Sequence, residues 1–132
     1  MLWNENVVQK LEWNGEISNL EEKQAIADKI AKIAKDGDVI GVGSGSTSFL
    51  AIQAIAKRMK EENLNIRAIP TSRELGMVCN YLGIPVETLV TAKPDWCFDG
   101  ADEVSPDKWL IKGRGAAMFK EKLIIANSGK SY

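Results

Sequence analysis

The stretch "VIGVGSGST", residues 39–47, constrains the fold more than any other part of the chain. Four apolar or small residues run into glycines and hydroxyls, and helical periodicity then begins at Thr47. This is the pattern of a short buried strand that passes through a glycine loop into a helix. The same alternation recurs along the chain. Before it, "NLEE" sets Asn19 as an N-cap with Glu22 at the third helical position, a capping-box arrangement. Ile26, Ile30 and Ile33 follow at helical spacing, and this helix stops before "KDGD". After it, a helix over 47–60 shows Phe49, Ile52, Ala56 and Met59 on one face. "IRAI" is a strand ended by Pro70, and "SRELGMVCNYL" is a helix closed by Gly83. "PVETL", "DWCF" and "WLIK" read as short strands, and "AAMFKEKLIIAN" as a helix. Strands that alternate with helices predict an α/β fold: a doubly wound, mostly parallel sheet with helices on both faces, Rossmann-like. Ligands of such sheets bind beyond the carboxyl ends of the strands. Three unusual loops fall there, "GSGST", "PTSRE" and "DGADE", and are expected to face one cleft.

With 132 residues the chain suffices for one domain with a real core. Residues 20–132 form that domain, and residues 1–19, with Trp3 and Trp13, read as an N-terminal extension whose tryptophans dock on the domain or on another subunit. The net charge of −1 and the lack of a basic run give no electrostatic case for nucleic acid or an anionic membrane. No apolar run approaches the ~18 residues of a membrane span, and no secretory signal layout opens the chain, so a cytoplasmic setting is expected. Cys79 and Cys97 lie in apolar contexts and read as core thiols. There is no histidine. Any proton transfer therefore falls to carboxylates, lysines, tyrosines or thiols, and histidine-based nucleophilic schemes are excluded.

Three motifs can carry chemistry. In "GVGSGST", Ser44, Gly45, Ser46 and Thr47 offer a close backbone approach, hydroxyls and the free N–H groups of a helix N-terminus, which together suit a phosphate. The alternative is a tight turn with a good cap. "DGADE", residues 99–103, is open to three readings: a decorated turn, a magnesium site, or acid–base and hydroxyl-orienting work. "KGRGAAMFKEK" places Lys112 before a glycine-containing loop, Gly113 to Gly115, whose amides can face a developing oxyanion. In the helix that follows, Glu121 lies four residues after Ala117 and four before Ile125, on a largely apolar face. An apolar setting disfavours a charged carboxylate and so suits it to accept a proton.

Taken in order, "GVGSGST … IPTS … DGADEV … LIKGRGAAMFKEK" resembles ribose-5-phosphate isomerase of the A type, over roughly residues 20–132. The resemblance implies a metal-independent aldose–ketose isomerisation that needs no cofactor, between ribose 5-phosphate and ribulose 5-phosphate through a cis-enediolate, in the pentose phosphate pathway. By position it implies Glu121 as the base between C2 and C1 and Asp99 as an aid to ring opening. Asp102 and Lys112 would hold the sugar oxygens, Ser44, Gly45, Ser46 and Thr47 the phosphate, and Lys23 in the first helix would reach the same anion. The implied partner is a small sugar phosphate, and the full-length protein is implied to be a homo-oligomer, a dimer or tetramer.

Two departures stand out. Arg114 interrupts what is a glycine run in the family, so it either strains a position that needs positive φ or adds a guanidinium contact to the substrate. "GKSY" at the end reads as the start of another strand, which suggests a truncated chain lacking the family's C-terminal part. Beside the isomerase stand two alternatives: a non-catalytic sugar-phosphate-binding module and an inactive truncated fragment. Glu103 is expected to act structurally, as a cap or a support for Lys112.

Overall fold

The computed structural model describes residues 11–132. Trp3 lies outside the described residues. The elements in chain order are α1 (Leu20–Ile33), β1 (Val39–Val42), α2 (Ser46–Glu62), β2 (Arg67–Pro70), α3 (Arg73–Tyr81), β3 (Trp96–Phe98), β4 (Glu103–Val104), β5 (Leu110–Ile111) and α4 (Met118–Asn127). β1 is central, parallel to β2 on one side and to β3 on the other. Single parallel bridges extend the sheet at both edges, Val86 beside Ala68 of β2 and Ser131 beside Cys97 of β3. The expected α/β architecture is therefore present.

Period-two alternation divides the core between the two faces of the sheet. Ile40, Val42, Ala68, Trp96 and Phe98 point into the larger cluster, which α1, α2 and α3 cover. Val39, Ile69 and Cys97 point the other way and pack with Ile124 of α4, joined by Leu89 and Ala92 from the crossing segment before β3. Helices thus lie on both faces, but unequally. α2 buries Phe49, Leu50, Ile52 and Ile55 among others, whereas α4 buries only Glu121 and Ile124.

Several local expectations are corrected. Asn19 adopts a left-handed conformation (φ 52°) and makes no side-chain cap bond, so the capping box does not form. Its carbonyl instead accepts from Lys23 N at 3.0 Å. The buried face of α1 is Ala27, Ile30 and Ala31, with Ile26 exposed; small side chains let α1 lie close against α2. Arg58 of α2 fastens the pair by donating to the carbonyls of Ala31 and Ala34 at the end of α1. "PVETL" is not a strand beyond the Val86 bridge, because Thr91 Oγ1 turns the chain by accepting from Thr88 N at 3.1 Å. The acidic "EV" of Glu103 and Val104 is a strand, paired antiparallel with Leu110 and Ile111 in an exposed hairpin. Gly83 ends α3 as expected, at φ +82°, with its amide bonded to Asn80 O and that of Ile84 to Cys79 O. "GKSY" does begin a strand-like pairing, as Cys97 N donates to Lys130 O and Tyr132 N to Cys97 O.

Gly41, at the middle of β1, permits the α4 face to close. A Cβ there would lie 2.4 Å from Ile124 Cγ2 and 2.7 Å from Cys97 Cβ. Gly41→Ala is expected to cost about 1–3 kcal/mol by overpacking, read as a lower denaturation midpoint with an unchanged denaturant slope. Both cysteines are free and buried, and burial pushes the Cys79 thiol up to about 12. Cys79 should therefore resist thiol reagents at neutral pH until the chain unfolds, with a labelling rate that tracks global opening.

Candidate active site

The strand order reverses about β1, and the crevice of an open α/β sheet forms beyond such a point. The loops at the carboxyl ends of β1 and β3 meet there. Leaving β1, the chain turns through Gly45 at φ +95°, a conformation glycine adopts readily, and enters α2 at Ser46. Gly45 has no side chain to cap the helix, so the first amides of α2 and the positive end of its dipole are left for a ligand. Ser44 Oγ and Thr71 Oγ1 lie 2.6 Å apart, which ties this loop to the end of β2. Lys23 Nζ donates to Ser46 Oγ at 3.1 Å and to Ser18 Oγ at 3.3 Å, so a cation stands beside the same helix start.

The other end of the crevice is acidic, with one lysine at its centre. Lys112 Nζ lies 3.0 Å from Asp99 Oδ2 and 3.5 Å from Glu121 Oε2, and donates to the carbonyl of Gly100. The two carboxylate contacts are attractions of charge, not aligned hydrogen bonds, since neither buried oxygen accepts a hydrogen bond from the protein. Both oxygens are covered from solvent, and the Lys112 charge is what answers them. Asp99 is oriented by its Oδ1, which accepts from Gly100 N at 2.8 Å, and by contact with Gly43. A Cβ on Gly43 would lie 2.2 Å from that oxygen. Glu121, on the first turn of α4, is only 5% exposed, as its apolar spacing predicted.

In the loop between Lys112 and α4, positive φ falls on Gly113 (+97°) and Ala116 (59°), not on Arg114. The arginine therefore introduces no backbone strain, and its exposed side chain stands at the rim. A cavity of about 590 Å³ joins both ends. It is lined by every expected site residue except Lys23, which reaches it through Ser46. Asp102 lines it from an exposed position, and Glu103 supports Lys112 through strand pairing with Ile111 rather than as a cap. The "PTSRE" loop does not line it. Thr71 braces Ser44 from below, while Ser72 caps α3 by accepting from Leu75 N at 3.2 Å. Sequence reasoning missed Gly43, Thr71, Trp13 and Glu16, of which the last two also line the cavity. Thr71 lies in "PTSRE" and Gly43 in "GVGSGST", stretches already singled out, but neither residue was given a role.

A family profile described as ribose 5-phosphate isomerase A (phosphoriboisomerase A) matches residues 67–132. The chain belongs to the ribose 5-phosphate isomerase A family. It is 42% identical over 110 residues to ribose-5-phosphate isomerase A of Chlamydia caviae, a match covering 83% of this chain and 47% of that protein. Among solved structures, ribose 5-phosphate isomerase A from Methanocaldococcus jannaschii superposes with a TM-score of 0.83 at 40% identity, covering 86% of this chain and 51% of that one. A D-ribose-5-phosphate isomerase solved in complex with phospho-erythronic acid gives a TM-score of 0.77 at 38% identity, over 84% of this chain and 50% of that one. The chain thus spans about half the length of the family members it matches.

The lysine-centred cluster makes a direct prediction. Lys112→Met leaves two buried carboxylates facing each other without a cation, which should destabilise the chain by about 3–5 kcal/mol in chemical denaturation. Adding Asp99→Asn or Glu121→Gln to that variant should recover part of the loss.

Proposed function

We propose that this chain carries the catalytic site of an aldose–ketose isomerase that interconverts ribose 5-phosphate and ribulose 5-phosphate. The observation that carries the reading is the single cavity holding an uncapped helix N-terminus at one end and the Asp99, Lys112 and Glu121 cluster at the other. Membership of the family supports the substrate, as does the phosphorylated sugar acid bound to the relative described above.

In the proposed reaction the phosphate rests on the amides and hydroxyls of Ser44 to Thr47, with Lys23 adding charge. Asp99 takes the proton of the anomeric hydroxyl and passes it to the ring oxygen as the C1–O bond breaks, giving the free aldehyde. The Glu121 carboxylate then takes the proton from C2. The C–H electron pair becomes the C1–C2 double bond of a cis-enediolate, and the carbonyl pair moves onto O1. Lys112, with the amides of 113–115, stabilises that developing charge, as a fixed cation and fixed dipoles do best in a water-poor site. Glu121 returns the proton to C1, and the O2 proton passes to O1 as the C2 carbonyl forms. One carboxylate suffices for both transfers, so the chemistry suits a chain without histidine. Asp102 holds the sugar hydroxyls as an acceptor. A cytoplasmic setting belongs to this reading. Among the described residues no helix is long and apolar enough to cross a membrane.

The test is a ketose-formation assay paired with calorimetry. Glu121→Gln should lower turnover by about 10²–10⁴-fold, the range for a lost general base, while ribose 5-phosphate still binds. Undiminished turnover in the variant removes Glu121 from the role. An unmodified chain that binds the sugar phosphate without turning it over is instead a binding module.

A further inference from the structure

The segment before α1 is built into the cavity. Leu11, Trp13 and Ile17 pack against the main core, and the Trp13 ring meets that of Phe49 at 5.5 Å and 51°. Phe49 is on the first turn of α2. Five residues after Trp13, Ser18 Oγ accepts from Lys23 Nζ, which also donates to Ser46 Oγ on that same turn. Residues 13–18 are therefore fixed at both ends against the start of α2, where the open amides are. Between these anchors Glu16 is exposed, and Trp13 and Glu16 both line the cavity. The segment lies outside residues 67–132, the part matched by the family profile.

Resting on the sugar-phosphate reading above, we propose that residues 13–18 form the phosphate-end wall of the site and restrict it to terminal phosphomonoesters. The amides and hydroxyls of 44–47, with Lys23, can satisfy the oxygens of one phosphoryl group. A second phosphoryl group extending from the first would have to pass the wall. There it meets an indole, which offers at most one N–H donor in place of its hydration, and the Glu16 carboxylate, which repels it. Rejection built from a blocking group and a like charge is a general route to specificity. Trp13 and Glu16 are in this sense specificity-determining residues that border the phosphate end of the cavity and not the reacting carbons.

ADP-ribose is a suitable probe, because it carries the same ribosyl 5-phosphate with the phosphate extended into a diphosphate. By calorimetry on the whole chain, ribose 5-phosphate should bind at least ~100-fold more tightly than ADP-ribose. Glu16→Gln and Trp13→Ala should each narrow that ratio by roughly tenfold, through tighter ADP-ribose binding. Glu16 is exposed, so Glu16→Gln keeps the test valid if loss of the Trp13–Phe49 contact unfolds the other variant. An unchanged ratio in Glu16→Gln, or equal binding of both ligands by the unmodified chain, overturns the wall and leaves the isomerase reading standing. Failure of the unmodified chain to bind ribose 5-phosphate overturns both.

Discussion

Two missing β-carbons, one within β1 and one just beyond its end, set the geometry of this molecule. Gly41 and Gly43 are two residues apart, so both open toward the side of the sheet that α4 covers. The first gap receives Ile124, which brings α4 down onto the strand. The second receives the carboxylate of Asp99. Glu121 lies one helical turn before Ile124, so the depth at which Ile124 seats also sets where Glu121 stands. The two carboxylates that share Lys112 are thus both positioned by close approach to the same short stretch of chain. A methyl group at either glycine disturbs the pair from a different end.

Around this contact the two ends of the crevice are held by different physics. The end at the start of α2, where the proposed phosphate would rest, relies on backbone amides, a helix dipole and a glycine turn, all fixed by secondary structure. The acid end relies on charge, with a lysine that neutralises two buried carboxylates without forming aligned hydrogen bonds to either. That leaves acceptor capacity on two residues that line the cavity, which is what proton transfer and hydroxyl binding require. In the proposed reaction the ligand completes hydrogen bonding that the protein leaves open.

The architecture was readable from the sequence because its signals are local and strong. A four-residue apolar strand that runs into a glycine loop and a helix admits few alternatives, and the spacing around Glu121 correctly placed it inside. The failures occurred where a tertiary choice overrides a local one. Asn19 has the right identity for a cap, yet its backbone takes a left-handed turn and its side chain cannot reach. Ile26 has the right periodicity, but alanines face α2 instead because close packing of two helices favours small residues there. Glu103 and Val104 form a strand only because Leu110 and Ile111 return beside them, a pairing that no propensity announces. Trp13 was expected to dock on the domain or another subunit, but that it meets Phe49 at the cavity, and that Thr71 braces Ser44, depends on three-dimensional proximity.

The unequal covering of the two sheet faces means that resistance to local opening varies along the crevice. The helix at the proposed phosphate end buries Ser48 to Ile52, Ile55 and Ala56, so releasing it requires undoing much of the main core. The helix that bears Glu121 is held by Ile124 and by the lysine cluster, and the hairpin leading to Lys112 buries neither of its strands. Fluctuations that expose amides should therefore begin at the hairpin and α4, well below the energy of global unfolding. A ligand held only at the start of α2 would leave that side free to breathe, whereas one that spans both ends would draw two regions of different intrinsic stability into a single cooperative unit.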